Sequence, residues 1–531
     1  MDSPYVLFIA FEEFDNLGVR YVSSLLAEND FRVLITDIRR GKKKILEEIR
    51  EFNPLIIGFS VIYQYFITSF RETAKFLRNN GIAAHFCAGG QYASLRPAEL
   101  YQLIPEIDSV VRFEGEYTFL ELAKSIRSGV SWKNIEGLAF RDDNRIMINP
   151  LRRPETDLDR FPYPLRPPLQ EYALGKKFAN LIAGRGCKNN CSFCNNTIYI
   201  IQSSLPARRL RTPENVAGEI EFLHRQKDCS VFLFDDDDFP VRAESGSTWI
   251  IDFCSELKRR KLYRRILWKI NCRPDEIDHD IFMMMRNHGL FLVFLGIDDG
   301  TDEGLARLNK NMTARQSMNG IMILKKLRIS FDYGFMLFQP SSDFNSVIRN
   351  IEFLENLCSD GSVPMKFLKI RPYFETRIEK ELLREGRLKG KPGFRDYDFD
   401  DPSLNRYYEF LEELFGYWMT SPGGVTNAAF WARNYIAVFS HFYKRAGRFE
   451  SLASDITEAI ARSNNFMADT IKELAHIYMP GKNNGPDGTD LDHYREKVKT
   501  NHQIFLKQIA DPVNQICRMA EMYMAYKSIL Y

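Results

Sequence analysis

The sequence has no apolar run that approaches the roughly 20 residues of a membrane-spanning helix. It also lacks an excess of one charge, since 72 Lys and Arg stand against 70 Asp and Glu. This balance gives no general electrostatic reason to expect nucleic acid or an anionic membrane as a partner. The opening residues lack the basic segment that precedes the apolar part of a signal peptide. We therefore expect no membrane span, no nucleic-acid partner and a cytoplasmic location.

Paired cysteines of the kind that predict a disulfide framework are also missing. The nine cysteines are an odd number, and three of them lie between positions 187 and 194. This usage is typical of a reducing compartment. The apolar share of 45% is ample for buried cores, and the length of 531 residues predicts about three or four domains.

The chemically most informative segment reads Gly-Arg-Gly-Cys-Lys-Asn-Asn-Cys-Ser-Phe-Cys. It places Cys187, Cys191 and Cys194 at C-x-x-x-C-x-x-C spacing, on a loop that leaves the apolar run Phe178–Ala183. Three thiolates this close can bind three irons of a cubic 4Fe–4S cluster and leave the fourth iron open. The alternatives are a zinc site, which usually recruits four ligands, and unligated core cysteines. The next cysteine, Cys229, is distant in sequence, so we favour the cluster.

Residues 1–135 alternate short apolar runs with helix-period segments, which predicts a doubly wound parallel sheet wrapped by helices. Ligands in this fold sit beyond the carboxyl ends of the strands. Glycines and hydroxyls at several strand ends would let a large flat ligand approach the backbone, although any one of them is commonly just a turn. The predicted strands are Tyr5–Ala10, Phe31–Thr36, Leu55–Ser60, Ala83–Ala88 and Ser109–Arg112.

Residues 136–176 form a connector that is too rich in proline for a helix or a central strand, and we expect it to run extended between domains. From 177 to 385 the βα alternation resumes. Six βα units predict a partial barrel, with the cysteine loop at the end of the first strand, where barrels carry their chemistry. The predicted strands are Phe178–Ala183, Val231–Phe234, Leu267–Asn271, Leu290–Leu295, Phe331–Leu337 and Phe367–Ile370.

Four consecutive acids, Asp235 to Asp238, follow the second of these strands, and Asp298 follows the fourth. Consecutive acids are usually a solvated turn. At the active rim of a barrel they become candidates for binding a cationic amine. Residues 386–531 turn helical, with aromatics at a spacing more typical of a core than of a substrate site. The only cysteine there is Cys517, so we expect no second cluster.

Several motifs occur in an order that resembles the cobalamin-binding radical S-adenosylmethionine (SAM) family. The resemblance covers residues 1–385, and the last 145 or so residues match nothing recognisable. The motifs include Asn16-Leu17-Gly18-Val19-Arg20-Tyr21, Gly89-Gly90-Gln91-Tyr92, Phe113-Glu114-Gly115-Glu116, the cysteine loop, Phe234-Asp235-Asp236, Gly296-Ile297-Asp298-Asp299-Gly300 and Arg371-Pro372-Tyr373-Phe374-Glu375-Thr376.

The resemblance implies that Cys187, Cys191 and Cys194 bind a 4Fe–4S cluster whose open iron chelates SAM. It implies that Phe193 packs near the adenine of SAM. It also implies that one of Asp235, Asp236 and Asp237 contacts the methionine ammonium, with Asp298 as a further SAM contact. One electron from the cluster would then cleave SAM to methionine and a 5′-deoxyadenosyl radical, which abstracts hydrogen from an unactivated carbon.

By the same resemblance, residues 1–135 would be a Rossmann-like cobalamin-binding domain. Cobalamin proteins of the methionine synthase type carry D-x-H-x-x-G, whose histidine ligates cobalt. Here Arg39 stands in the place of that histidine, so we expect cobalamin without a protein histidine ligand, or an empty domain. The predicted cobalamin contacts are Asp37, Gly41, Ser60, Tyr63, Gly89, Gly90, Gln91, Glu114, Gly115 and Glu116.

The resemblance implies a methyltransferase that acts on an unactivated carbon of a natural-product, lipid or peptide substrate. The alternatives are a radical cyclase or rearranging enzyme that uses cobalamin without net methyl transfer, and a non-enzymatic redox sensor. An electron donor such as flavodoxin or ferredoxin is expected as a partner. We also expect both cofactor sites to open toward one cavity that the helical residues 386–531 would close.

Overall fold

The computed structural model describes residues 3–12, 16–143, 145–242, 248–443, 447–481 and 491–530. The strands are β1 Tyr5–Ala10, β2 Arg32–Asp37, β3 Ile56–Ser60, β4 His85–Gly89, β5 Ser109–Val111, β6 Leu138–Asp142, β7 Arg145–Ile148, β8 Glu171–Ala173, β9 Lys176–Leu181, β10 Gly184–Arg185, β11 Arg209–Leu210, β12 Cys229–Phe234, β13 Leu267–Cys272, β14 Leu290–Asp298, β15 Ser330–Phe335, β16 Leu388–Lys389 and β17 Asp396–Tyr397.

The helices are α1 Leu17–Ala27, α2 Lys42–Phe52, α3 Ile67–Asn79, α4 Gln91–Leu95, α5 Pro97–Leu103, α6 Glu116–Arg127, α7 Asn196–Ser203, α8 Pro213–Lys227, α9 Trp249–Arg259, α10 His279–Asn287, α11 Asp302–Arg307, α12 Ala314–Leu327, α13 Phe344–Cys358, α14 Arg377–Arg384, α15 Pro402–Thr420, α16 Val425–Phe442, α17 Gly447–Tyr478 and α18 Leu491–Leu530. No helix in the described part of the chain is both long enough and apolar enough to cross a bilayer.

The chain divides into two compact units. The N-terminal unit comprises residues 1–168, 184–215 and 372–396, and the barrel unit comprises residues 169–183, 216–371 and 397–531. The cysteine loop thus belongs to the same unit as the N-terminal sheet, a grouping that the sequence does not predict. The boundaries expected at 135, 176 and 385 remain predictions.

The N-terminal unit is built on a sheet of order β2-β1-β3-β4-β5-β6-β7, in which β1 to β5 run parallel. Alternate residues of β1 enter two different cores. Leu7 and Ile9 pack with α2 and α3, whereas Val6 and Phe8 pack with α1 and α6. This period of two, with a buried layer on each face, is the doubly wound arrangement that the sequence predicts.

The expectation that residues 136–176 run extended is wrong in part. The strands β6 and β7 form an antiparallel hairpin on β5 and so add to the N-terminal sheet. Further along, β8 pairs antiparallel with β9 of the other sheet. The apolar residues of β6 had indicated a strand, but the prolines that follow from position 150 obscured it.

The barrel unit contains a sheet of order β15-β14-β13-β12-β9-β8, in which β9 and β12 to β15 run parallel. This confirms the predicted partial barrel. The sixth predicted strand, Phe367–Ile370, forms only a single parallel bridge, between Phe338 and Lys369. Helix α16 contacts the two edge strands of this sheet, β8 and β15. Its Trp431 ring lies 5.2 Å from that of Tyr172 on β8.

Candidate functional site

The cysteine loop begins at a tight crossing of β10 and β11, which pair antiparallel. Gly186 has a φ of +91°, and a Cβ there would lie 2.3 Å from the carbonyl oxygen of Ala207. Only glycine combines that backbone conformation with so close an approach. The Gly-Arg-Gly segment therefore fixes the backbone path that leads to the three cysteines.

All three cysteines are half-buried. The amide N–H and the side-chain Nδ2 of Asn189 each donate to Cys187 Sγ, both at 3.4 Å. Such donors favour a negatively charged sulfur. A turn in which the amide of Cys194 donates to the carbonyl of Cys191 at 3.2 Å brings the last two cysteines together. Phe193, between them, is also half-buried.

This donor set, three thiols with amide donors nearby, fits a cubic iron–sulfur cluster. Within the described ranges no three Cys, His, Asp or Glu side chains converge as ligands of one metal ion would. In a cubic cluster each thiolate binds a different iron, so its ligands do not need to converge in this way.

Arg185 ties the cysteine loop to the N-terminal sheet. Its guanidinium contacts Glu116 Oε1 at 2.6 Å and Glu114 Oε1 at 3.3 Å, and its plane lies over the ring of Tyr21. Arg209, from β11, also pairs with Glu114. Burial alone would raise the pKa of Glu114, but the charges of Arg185 and Arg209 hold it below its usual value.

Helix α7, which follows the cysteines, packs on the same unit. Gln91 Nε2 donates to Asn196 Oδ1 at 2.7 Å, and the ring of Tyr199 meets that of Phe113 edge-on at 5.0 Å. Tyr199 and its neighbour Ile198 also contact the core formed with α2 and α3. The segment after β5 therefore contacts the chain on both sides of the cysteines, and the start of α4 contacts it at α7.

These contacts locate several predicted cobalamin residues. The carboxylates of Glu114 and Glu116 are held by arginines, and Gln91 is hydrogen-bonded to α7. Gly90 has a φ of +103°, and a Cβ there would lie 2.6 Å from the carbonyl oxygen of Val61, so its glycine is needed by the strand-end turn. Gly115 precedes α6 as its N-cap.

At the ends of β2 and β3 the strand edge is more open. Tyr63 is 49% exposed, and Ser60 accepts a hydrogen bond from Asn16 at 3.2 Å. Gly41 is the N-cap of α2, and Gly89 ends β4 beside this edge. Small residues and an exposed ring suit a large cofactor that approaches the backbone.

The position of the missing histidine is filled by a paired arginine. Arg39 Nη2 contacts Asp37 Oδ2 at 2.6 Å, and the Arg39 guanidinium lies over the ring of Phe11. Burial would raise the pKa of Asp37, but its bonds to Arg39 lower it. A guanidinium has no lone pair to offer cobalt. The residues at this edge thus fit cobalamin only without a protein ligand to its metal.

In the barrel unit, the four acids after β12 alternate between solvent and core. Asp235 and Asp237 are exposed, whereas Asp236 and Asp238 are buried. Both carboxylate oxygens of Asp236 accept from the amide of Ala183, at 2.9 and 3.1 Å. Asp235 accepts from Asn180. Of the three predicted SAM contacts here, Asp236 therefore supports the backbone, and Asp235 and Asp237 are the exposed ones.

Asp298, the fourth acid predicted to contact SAM, is buried and paired with Lys310. Its neighbour Asp299 accepts from the amide and the hydroxyl of Thr301, both at 2.7 Å, and from Asn350 at 3.2 Å. Burial raises the pKa of Asp299. These two acids therefore hold the loop between β14 and α11.

Sequence reasoning missed two charged residues that the structure makes prominent. Arg185 stands between two glycines, which was a signal of a special role. Lys269 is the one charged residue in the strand Leu-Trp-Lys-Ile-Asn-Cys of β13. A charge inside a strand this apolar is unusual and could have drawn attention.

Comparisons with known proteins agree with this geometry. Residues 10–123 match the model of the B12 binding domain, and residues 181–353 match that of the radical SAM superfamily. An uncharacterized methyltransferase of Pyrococcus horikoshii is 26% identical over 405 residues, 75% of this chain and 84% of that protein. An anaerobic magnesium-protoporphyrin IX monomethyl ester cyclase of Rubrivivax gelatinosus is 28% identical over 301 residues, 54% of this chain and 51% of that protein.

Among solved structures, the cobalamin-dependent SAM radical enzyme OxsB, with aqua-cobalamin and SAM bound, superposes with a TM-score of 0.67. The superposition covers 98% of this chain and 84% of that one, at 16% sequence identity. At this identity the likeness shows a shared fold.

Proposed function

This chain belongs to the cobalamin-binding radical SAM family, and we propose that it methylates an unactivated carbon of its substrate. The presence of a B12 binding domain and a radical SAM domain in one chain carries the proposal. The similarity to a methyltransferase over three quarters of the chain supports it. When bound, the cluster with SAM would supply a carbon-centred radical and cobalamin would supply the methyl group.

Both cofactors are needed for a chemical reason. An unactivated carbon has no lone pair with which to attack the methyl group of a sulfonium directly. A radical enzyme that also holds a methyl carrier avoids this difficulty. Methylation of a nucleophilic oxygen or nitrogen would need neither the three cysteines nor the N-terminal sheet.

The residues of this chain would have the following roles in cofactor binding. Cys187, Cys191 and Cys194 would hold the cluster, with the amide donors of Asn189 near one sulfur. Asp235 or Asp237 would receive the ammonium of SAM, because both are exposed at the carboxyl end of β12. The buried pairs of Asp236 and Asp298 would keep those loops in place.

The N-terminal sheet would bind cobalamin along the ends of β2, β3 and β4 without ligating cobalt. We expect the electron paramagnetic resonance spectrum of the Co(II) form to lack a strong nitrogen coupling from histidine. A clear histidine coupling would contradict this ligand assignment, and failure to retain cobalamin would show an empty domain.

The remaining features of the proposal concern partners. The substrate class would be a natural product, a lipid or a peptide, and flavodoxin or ferredoxin would deliver electrons. The cell interior would be the compartment, because a low-potential cluster and free cysteines need reducing conditions. The helical residues 386–531 would contribute to substrate recognition.

The deciding experiment uses SAM with a deuterated methyl group, anaerobically reconstituted enzyme, a reductant and an extract of the source cells. A labelled product should form together with 5′-deoxyadenosine and S-adenosylhomocysteine. If 5′-deoxyadenosine increases with the extract but neither labelled product nor S-adenosylhomocysteine forms, the proposal is wrong. The similarity to the cyclase would then favour a cyclase or rearranging enzyme.

A further inference from the structure

One face of the barrel sheet carries charged side chains, although a sheet covered by helices is usually apolar. The register of the strands aligns one row across β9, β12, β13 and β14, consisting of Asn180, Leu233, Lys269 and Leu292. A second row, across β13, β14 and β15, consists of Asn271, Phe294 and Asp332.

The opposite face is the one packed on helices. Phe234 and Trp268 point there, and both rings contact Phe253 of α9 edge-on, at 5.9 and 5.6 Å. We call the face that carries Lys269 and Asp332 the inner face. It is the concave side of the half-barrel, away from the covering helix α9.

Each acid near Lys269 is already bound to another donor. Asp332 Oδ1 contacts Lys366 Nζ at 2.6 Å. Asp235 accepts from the side chain of Asn180, and Asp236 accepts from the amide of Ala183. The donors to Asp235 and Asp236 are neutral amides, so both acids keep their charge, but neither of them nor Asp332 forms an ion pair with Lys269.

Lys269 itself has little compensation. Throughout the described residues it makes no ion pair, and its Nζ donates only a long hydrogen bond, 3.4 Å, to the carbonyl of Phe234. Burial lowers the pKa of Lys269, and the charges of Asp235 and Asp332 offset that effect only in part. A partly buried ammonium in this condition costs free energy.

A second cation reaches the same region from the helical residues. Arg433 of α16 donates to the carbonyl of Gly361 at 3.2 Å and to Ser330 Oγ, at the start of β15, at 3.5 Å. It too forms no ion pair with any residue that the structure describes. Burial lowers its pKa to about 10, despite the charges of Asp360 and Asp332. Asp360 is paired with Lys325 at 2.8 Å.

Asp332 therefore interacts electrostatically with three cations, Lys269, Lys366 and Arg433, of which only Lys366 is paired with it. Charges that a fold buries without partners cluster at binding sites, because a ligand can supply the missing counter-charge. A phosphate or carboxylate group carries such a counter-charge.

We propose that the substrate is an anion whose carboxylate or phosphate group is bound on the inner face by Lys269, with Arg433 adding to the positive potential. This inference rests on the proposed function, since it names the class of substrate for that reaction. It also gives the helical residues 386–531 a share in substrate recognition through α16.

The direct test titrates the reconstituted holoenzyme with methyl phosphate, with acetate and with neutral methanol, by calorimetry. Lys269→Met removes the charge at nearly constant length, and Lys269→Arg retains it. Lys177→Met is the matched control, because Lys177 lies on β9 of the same sheet, two strands from β13, and 43% of its side chain is exposed. We expect wild type, Lys177→Met and Lys269→Arg to bind methyl phosphate or acetate but not methanol.

Lys269→Met should bind the same anions at least tenfold more weakly, which corresponds to about 1.4 kcal/mol. Equal binding by wild type and Lys269→Met would overturn the proposal. So would a tenfold loss of SAM affinity in Lys269→Met with anion binding unchanged, because the lysine would then serve the carboxylate of SAM.

Fractionation of the cell extract separates this inference from the proposed function. The fraction that stimulates 5′-deoxyadenosine formation should bind an anion-exchange resin. A labelled methyl product from the unbound fraction would overturn the anionic substrate and leave the methyltransferase intact. Stimulation by the bound fraction without labelled product would support the anionic substrate and reject methyl transfer.

Discussion

The two units of this chain differ in whether particular charged side chains form ion pairs. In the N-terminal unit, Arg185 is paired with Glu116 and Glu114, and Arg209 with Glu114. On the inner face of the barrel, Lys269 and Arg433 form no ion pair with any described residue. A complete pair fixes the position of a loop, here the cysteine loop. A cation without an ion pair keeps much of its desolvation cost until an anion binds.

The largest expected effect comes from the loop that the paired charges position. Changing Cys187, Cys191 and Cys194 together to Ala should remove all cluster iron and all SAM cleavage, because no other described cysteines lie paired nearby. Iron analysis and the absorbance near ~400 nm after anaerobic reconstitution measure this. Retention of about four irons per chain, or zinc as the only metal found, would contradict the cluster assignment.

The second effect tests the pairing itself. Arg185→Met leaves the carboxylate of Glu116 buried without its partner, and it should destabilise the N-terminal unit by about 3 kcal/mol. Hydrogen exchange of the peptides within 184–215 and the iron content after reconstitution measure the result. Unchanged protection of these peptides would show that the arginine does not hold the loop.

The pairs of Glu114 with Arg185 and Arg209 should also make the loop sensitive to acid. The pKa of Glu114 is held below its usual value in the folded chain. Its contribution to stability is therefore present above the unfolded pKa and is lost as the pH falls through the lower, folded pKa. Exchange protection of 184–215 in the cluster-free protein, measured at decreasing pH, should decline in that window. In Arg185→Met the decline should be smaller.

In the barrel unit, one substitution should stabilise the protein and not destabilise it. Lys269→Met removes a partly buried ammonium that lacks an ion pair, and it should raise the free energy of unfolding by about 1 kcal/mol. Because the folded pKa of Lys269 is lowered, the wild-type protein should itself gain stability as the pH rises through that pKa toward the unfolded value. Urea unfolding measures both the effect of the substitution and the pH dependence of wild-type stability. Destabilisation by Lys269→Met would mean that the lysine supports the fold.

The smallest effect is expected at the exposed pair of the N-terminal unit. Arg39→Gln breaks a bond to Asp37 in which 47% of the arginine side chain is exposed, so the cost should stay below about 1 kcal/mol. Cobalamin retention should not change, since Arg39 does not ligate cobalt. A large loss of bound cobalamin in this variant would show that Arg39 contacts the cofactor directly.

Much of the fold could be predicted because its signals are local. The strand β1 was predicted with its observed bounds, and the cysteine spacing is read directly from adjacent residues. The hairpin of β6 and β7 was missed because its prolines follow closely. The sixth barrel strand was predicted too long, because an apolar run does not reveal how many partners its backbone will find.

The sequence by itself determined which cofactors this chain is built for, because three cysteines at fixed spacing and an alternating βα pattern are short-range features. The tertiary structure decided how each charge is used. It brought Arg185 to Glu114 and Glu116, some 70 residues earlier, and it placed Lys269 and Arg433 near the same Asp332. Sequence alone could not decide this, because charges of the same kind become a structural pair or a binding site according to which residues folding brings beside them.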